Sequence, residues 1–541
     1  MSKRVFVNGK IFTVNKNKPW AEALVIEDNK IIYVGDNEGA KKYLSSGVIE
    51  EDLKGKLVTP GLIDGHIHAL MAVLVRCVIV LNASMDLETI CKTCKDYISK
   101  HPDLPAYLGM GWNDGMFGEI GPNKKVLDEI CKDKPLALFS ASGHCGWCNS
   151  KALEGAHIDK NFKDPDRSAG HFFMRDENNE PTGYVKETVC TNIILSSANF
   201  TPLEMLGEEA VRLGKYCASI GLTSVFDCGN YDFFEHIVND DLMKEIDNVD
   251  CPVRVDLCGV IANNTNINVA YEEAKKLHSK YMSDMFRCTF LKILNDGTVE
   301  NFSAAIPNSY PGADKVKPTL SKDELVYWGD KAAKAGLDLN VHAIGSVTIH
   351  ELLEAAGELR KMGHKDMRII CSHSAYVFPE DLELFGKYDV IGNSTGLWFA
   401  ACSESDEKLI ESLTQAKAYP MKSILTSGSK ISLSSDYPTD AHALLPIPNM
   451  EVAITRQELG DKNGFIHDEK ERLTLEEVIE AYTLSNAYEM RMEDKIGSLE
   501  VGKYADIVIF DKNLFELDPH EIHTAKIYET IMNGITRYKA E

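Results

Sequence analysis

The sequence predicts an α/β protein: a (β/α)8 TIM barrel with a small β-domain drawn from both chain ends. Three observations carry this. Eight short apolar runs alternate with helical stretches through the body of the chain. Both ends are strand-rich while the middle is not. At 541 residues the chain is long enough for a large barrel and an accessory domain.

The N-terminal end reads as RVFVNGKIFTV and then EALVIEDNKIIYVGD, with turn chemistry at Asn8-Gly9 and Asp28-Asn29. The C-terminal end reads the same way, KIGSLEVGKYADIVIFDKN and KIYETIMNGITRYK, with another turn at Asn533-Gly534. The economical inference is that the two ends pair. Between them the strand-like runs are 57–68, 221–229, 253–261, 290–297, 337–345, 367–374, 389–396 and 430–438. Helical patterns separate most of them, such as LEMLGEEAVRLGKYCASI and KDELVYWGDKAAKAG. The interval between the first and second runs is far longer than a βα crossover needs. It predicts an inserted subdomain at about 85–200, which after a barrel strand would sit over the mouth of the site as a lid or specificity element. The expected domains are residues 1–57, 58–488 and 489–541.

Composition is that of an ordinary globular enzyme, 44% hydrophobic and 26% charged. A net charge of −24 excludes nucleic acid and anionic membrane as partners, because phosphate is repelled. The start lacks the apolar core of a signal peptide, and the apolar run at 71–81 is short and interrupted by Arg76. The expectation is a cytoplasmic protein acting on a small molecule, with a homodimer as the prior for a soluble enzyme. The 14 cysteines read as reduced, small apolar side chains. Cys91/Cys94 and Cys145/Cys148 have CxxC spacing, but a four-cysteine zinc site is the lesser reading, since the first pair lies in a helical pattern.

The chemistry gathers at the ends of the runs. The first ends in His66 and His68, the fifth in His342, the sixth in His373 and the eighth in Asp436; the fourth carries Lys292. C-terminal strand ends are where barrel enzymes place their reactive groups. His66 and His68 at i and i+2 point to one face of a strand, and converging neutral imidazoles suit a divalent metal such as zinc. A lone histidine there is usually structural; the ordered set is not so easily explained. Lys292 has no lone pair when protonated. It either pairs with an acid such as Asp296 or, carboxylated by carbon dioxide, becomes an anionic ligand.

These residues and the stretches around them resemble the amidohydrolase superfamily. VTPGLIDGHIH is similar to its entry into the barrel, and LTLEEVIEAYTLSNAYEMRMEDKIGSLEVGKYADIVIFD to its closing segment. GMGWNDGMF, SGHCGWCNSKAL, EPTGYVKE, FLKILNDGTVEN, NVHAIGS and SSDYP place the resemblance in the branch of N-substituted formamide deformylase. It implies a composite β-sandwich from both termini. It implies one or two divalent ions, zinc first, on His66, His68, His342, His373 and Asp436, with Lys292 as a carboxylated bridge. Asp436 would take a proton from the attacking water and return it to the leaving nitrogen. His144, Trp147, Trp112, Asp114 and Glu187 fall in segments that resemble the substrate side, with a subdomain core as their bland alternative. Arg456 reads as a surface salt bridge. Ser346, Ser372 and Ser142 stand where the family usually has acids, which changes the support around the metal.

The function expected is hydrolysis of a C–N bond in an amide, formamide or cyclic amide. The same site could instead serve deamination, decarboxylation or isomerisation, since fold does not fix function. A non-catalytic regulatory protein is the reading from another class.

Overall fold

The computed structural model describes residues 3–45, 48–113, 115–118, 120–141, 144–165, 167, 170–198, 200, 203–229, 251–299, 301–310, 315–401, 403–440 and 442–541. Among these, the side chains of 188, 203, 204 and 405–407 are left aside. The chain divides into two compact units.

The first unit holds Met1–Ala69, Gly214–Gly229 and Cys251–Glu541. Its body contains eight strands at the eight apolar runs: β1 (Leu62–Ile67), β2 (Leu222–Asp227), β3 (Arg254–Leu257), β4 (Phe290–Leu294), β5 (Asp338–Ala343), β6 (Ile369–His373), β7 (Val390–Thr395) and β8 (Ile431–Ser434). They form two parallel sheets. One has the order Phe286–Arg287, β3, β2, β1; the other runs β4, β5, β6, β7, β8. A bridge from Ala262 to Ile293 links the segment after β3 to β4. At the other edge, the Asp436 N–H donates to the His66 carbonyl at 2.7 Å and the His68 N–H to that of Tyr437 at 2.8 Å.

Among the described residues, helices return the chain between most of these strands, as parallel pairing requires. Lys322–Lys334 is representative. It buries Leu325, Trp328, Gly329 and Ala332, a single stripe at helical spacing, and carries Asp323 and Glu324 in its first turn. Strands β1, β2, β6, β7 and β8 are buried along their whole length, which is why they read as nearly unbroken runs. Ile63, Phe226, Phe290, Ile370 and Ile391, from five different strands, converge with Met490, Met492 and Ile496 in one core. Phe226 and Phe290 stack with centroids 4.1 Å apart. Each of Ile63, Phe290 and Ile370 precedes its strand's histidine or lysine by two or three positions. In β1 and β6 the apolar core residue thus lies toward the N-terminal end and the histidine toward the C-terminal end.

The run at 57–68 is two strands, not one. Leu57–Pro60 joins a six-stranded sheet ordered Ile535–Lys539, Ile527–Met532, Ile507–Phe510, Leu57–Pro60, Lys10–Phe12, Trp20–Ala21. The chain changes sheet at Gly61, where a β-carbon would lie 2.3 Å from the Thr223 hydroxyl. The boundary expected after residue 57 thus falls inside a strand. In this sheet, Ile507–Phe510 from the C-terminal end pairs antiparallel with Leu57–Pro60 from the N-terminal end. Phe6, Leu24, Val58, Ile507 and Ile531 share its core. A four-stranded sheet, Lys30–Gly35, Ala23–Glu27, Lys3–Val7, Ile49–Asp52, completes the N-terminal segment.

The described part of the second unit is Leu70–Leu213. Its centre is a six-stranded sheet ordered Phe172–Arg175, Pro181–Lys186, Cys145–Cys148, Leu136–Ser140, Tyr107–Trp112, Ile79–Val80. Two apolar clusters pack on it, one containing Phe139, Phe173 and Val185, the other Leu138, Trp112 and Trp147. Among the described residues, no helix is long and apolar enough to cross a membrane.

Candidate metal centre

The site of the first unit is built where β1 meets β8. His66 lies within β1 and His68 just beyond it, both buried, so the alternation of the strand turns both rings the same way. Asp436 follows β8 in the left-handed region, with φ 54°. That bend, open to Asp at modest cost, carries its carboxylate back toward β1. Asp436 Oδ1 lies 3.4 Å from His66 Nε2 and 3.2 Å from His68 Nε2. One ligand atom from each of the three residues falls within 4.8 Å of the others.

His373, the last residue of β6, also has a positive φ, 76°. Its ring lies 4.9 Å from that of His66 and 4.3 Å from that of His342, centroid to centroid. The parallel register of β5 and β6, with His342 opposite Ser372 and Ala343 opposite His373, sets this spacing. The two strand-end residues with positive φ represent about 1–3 kcal/mol of backbone strain each, held by the surrounding sheet.

Hydrogen bonds select the imidazole nitrogen that faces inward. His68 Nδ1 donates to the Gly229 carbonyl at 2.7 Å. His66 Nδ1 lies 3.1 Å from Ser372 Oγ, whose own hydrogen goes to Asn340 Oδ1 at 2.7 Å. Ser372 therefore accepts from His66, and in both histidines it is Nε2 that faces Asp436. Lys292 Nζ donates to Asn340 Oδ1 at 2.9 Å and to Ser372 Oγ at 3.3 Å. The pairing of Lys292 with Asp296 is not found. Asp296 instead accepts backbone N–H groups of Ala305, Ile344 and Gly345 and the Thr348 hydroxyl, and so braces the loop after β5.

The charges are tuned by burial. Burial, with Lys292 and the other imidazoles nearby, pushes His66 and His342 well below the ordinary histidine range, and burial takes His373 down to about 4. Burial opposes the charged form of His68 too, but the Asp436 carboxylate and the Gly229 carbonyl outweigh it and raise it. Burial alone would raise Asp436; His68, His373 and the Thr439 hydroxyl hold it well below the carboxylate range. Burial lowers Lys292. The result is three imidazoles held neutral, those of His66, His342 and His373, and a fourth, His68, drawn toward its charged form by the Asp436 anion.

Two atoms in this cluster, His342 Nε2 and Asp436 Oδ1, are buried and have no hydrogen-bond partner among the described residues. Such atoms are costly to leave unmatched. Nitrogen and oxygen donors of this kind, converging and unsatisfied, fit a divalent cation such as zinc.

Residues that the sequence pattern does not single out hold the seam. Asn486 donates to the carbonyls of Ile63 in β1 and Leu433 in β8. It directly follows a single π-turn at Ala481–Ser485. Asp64 accepts the N–H groups of His66 and, 371 positions away, Ser435. Gly65 is required beside them, since a β-carbon there would lie 2.5 Å from Asn486 Oδ1. Asn340 belongs to the same group, its signal only its place opposite Lys292 in the strand register, whereas Ser372 stands out in the sequence as a serine in place of an acid.

The remaining predicted residues lie in the second unit. His144 Nδ1 is 2.7 Å from Glu187 Oε2, and the Glu187 N–H donates to the His144 carbonyl at 2.7 Å. Glu187 has φ 66°, a strained position for a non-glycine residue at the start of helix Thr188–Leu195. Trp112 and Trp147 are fully buried, 6.4 Å apart by centroid, with their indole N–H groups given to the carbonyls of Leu138 and Asn123. That is the packing of a subdomain core, the alternative weighed for both, and neither ring has exposed surface. Asp114 and Ser142 lie outside the described residues. Cys94 and Cys145 sit in one apolar cluster and Cys148 in the other. Arg456 is also corrected: it is buried, with its guanidinium on the carbonyls of His467, Tyr419 and Ala418. A surface salt bridge needs exposure that it lacks.

Residues 50–538 match the family described as "Amidohydrolase family". The exoenzymes regulatory protein AepA of Pectobacterium carotovorum subsp. carotovorum is 30% identical over 410 residues, 74% of this chain and 87% of that protein. The N-substituted formamide deformylase of Arthrobacter pascens is 24% identical over 575 residues, covering 100% of this chain and 99% of that protein. An uncharacterized metal-dependent hydrolase from Pyrococcus furiosus superposes with a TM-score of 0.71 at 23% identity, over 96% of this chain and 100% of that chain. That superposition shows a shared α/β fold. With a family match spanning nearly its whole length, the chain belongs to the amidohydrolase family.

Proposed function

We propose that this protein is a metal-dependent hydrolase that cleaves a C–N bond of a small amide, formamide or cyclic amide. The observation that carries the reading is the pair of unmatched buried atoms, His342 Nε2 and Asp436 Oδ1, set among His66, His68 and His373. In this reading the two parallel sheets of the first unit close into a (β/α)8 barrel spanning 58–488. The strands of residues 1–57 and 489–541 form the flanking sandwich, and His144 and Glu187, in the insertion at about 85–200, are substrate-binding residues.

His66, His68, His342, His373 and Asp436 would hold one or two divalent ions, zinc first, and Lys292, carboxylated, would be the bridging ligand. Such an ion supplies polarisation of the scissile carbonyl and a more acidic water. Asp436 holds the transferred proton: its carboxylate is anionic at neutral pH, is steadied by the Thr439 hydroxyl on Oδ2 at 2.8 Å, and turns Oδ1 toward His66 and His68. It then delivers that proton to the leaving nitrogen. Ser372 and Asn340 hold the orientation of His66, and Gly229 that of His68.

The name of the Pectobacterium relative supports a second reading, a regulatory protein without turnover. The test covers both. Elemental analysis of the purified protein should find about one to two divalent ions per chain. A panel of N-formyl and N-acyl amines, hydantoins and lactams should contain a substrate. Metal-free protein removes the proposal; bound metal with no turnover of any member favours the regulator.

A further inference from the structure

The histidine cluster ends at an indole. Trp398 lies in the short 3-10 helix Gly396–Ala400 that follows β7. Its ring stacks on that of His373, with centroids 5.7 Å apart and planes 28° from parallel. His373 is buried and packs also on His66 and His342, whereas Trp398 is only partly buried. The indole lies at the edge of the buried cluster, one face toward His373 and part of its side chain exposed.

Its placement is rigid. The indole N–H donates to Asp440 Oδ2 at 3.2 Å, in the segment after β8. Asp440 Oδ1 accepts the backbone N–H of His442 at 2.9 Å, so both carboxylate oxygens are engaged. The backbone under the indole is pinned as well. Asn449, fully buried, accepts the Leu397 N–H at 2.9 Å and donates to the carbonyls of Ala443 and Leu445 at 2.7 and 2.8 Å. One amide side chain thus ties the loop after β7 to the loop after β8. A ring held at its edge and at its backbone has little freedom left to lose when a ligand lies on it.

With its N–H committed, Trp398 has only its π-face to offer, and such a face prefers another ring. Resting on the metal-hydrolase reading above, we infer that Trp398 is a specificity-determining residue. It selects substrates that carry a planar aromatic group beside the scissile carbonyl.

The test uses the full-length protein, its metal content measured first. The probes are benzohydroxamic and acetohydroxamic acid, which share a metal-binding head and differ in phenyl against methyl. Their dissociation constants are read by titration calorimetry. The wild type should bind the phenyl probe about tenfold more tightly, the equivalent of about 1.4 kcal/mol and within the range of an aromatic pair. Trp398→Ala should bring the ratio of the two constants to about one, while Trp398→Phe and Asp440→Asn should keep most of it; the amide oxygen of the latter can still accept the indole N–H. A wild-type ratio near one, or an unchanged ratio in Trp398→Ala, overturns the inference. So does loss of metal in Trp398→Ala, which would make the residue structural. Metal-free wild-type protein overturns the hydrolase reading itself, and the inference with it; metal-loaded protein without phenyl preference overturns the inference alone.

Discussion

Replacing Ser372 by alanine removes one hydroxyl that serves three buried neighbours. It donates to Asn340 Oδ1 at 2.7 Å, accepts from His66 Nδ1 at 3.1 Å and from Lys292 Nζ at 3.3 Å. Lys292 keeps its shorter bond to Asn340, at 2.9 Å, and loses little. His66 keeps nothing on Nδ1, and a buried donor left without an acceptor costs about 1–3 kcal/mol. The ring can avoid that cost by rotating or by moving its proton to Nε2, and either change withdraws the lone pair that faces Asp436. A supporting bond of this kind is worth about 10–100-fold in metal affinity. That is about 1.4–2.8 kcal/mol, the same size as the donor cost. The assay is the zinc retained by the protein across a graded chelator series. Ser372→Ala should release its metal at a chelator concentration about 10–100-fold lower than the wild type. Ser346→Ala is the control, because its hydroxyl donates to the Thr414 carbonyl at 2.7 Å and forms no bond to His66. Equal retention by Ser372→Ala and the wild type would refute the assigned support of His66.

Three further outcomes are expected. Asp436→Asn should lose about 10²–10⁴ in turnover with its circular dichroism unchanged, and retained activity would rule out its proton-transfer role. Lys292→Ala should be inactive and regain activity with short carboxylic acids such as acetate; full activity without added acid would exclude a necessary carbamate bridge. Asp256, buried beneath Thr289, is pushed by burial from 3.8 up to about 7. Between those values the folded protein binds the extra proton and the unfolded chain does not, so this contribution to stability falls as pH rises through the window and is gone above it. Asp256→Asn should therefore remove a decline of about 2–4 kcal/mol between pH 4 and 7, read as a flatter melting temperature against pH; parallel curves for variant and wild type would count against it.

The strands of the body were legible because parallel strands buried on both faces leave apolar runs in the sequence, and all eight runs contain strands. The convergence of His66, His68 and Asp436 was legible in part: period two places the histidines on one face, and position at a strand end suggests a shared rim. What could not be read was the support. Ser372, Asn340, Asn486 and Asp64 are common polar residues whose roles come from partners in other strands, up to 371 positions away, which a local pattern does not encode. The error at 57–68 has the same origin. Leu57–Ile67 is buried throughout, and the crowding of Gly61 against Thr223 marks where it passes from one sheet to the other. Trp112 and Trp147 show the reverse case: segments that resemble a substrate region carry rings that the subdomain needs for its own core.

The seam between β1 and β8 has a consequence for the order of events in the cell. The strand with both leading histidines is made about 370 residues before its carboxylate partner. A ribosome-bound chain therefore displays His66 and His68 without the group that completes their site, and early fragments should hold zinc no better than a loose pair of imidazoles. On the metal-hydrolase reading, an ion captured later would join the first strand to the last and add its binding free energy to that closure. Stripping the ion should loosen this seam first, so that amide exchange quickens at Asp436 and His68, whose N–H groups cross it, before it quickens in the middle of either sheet.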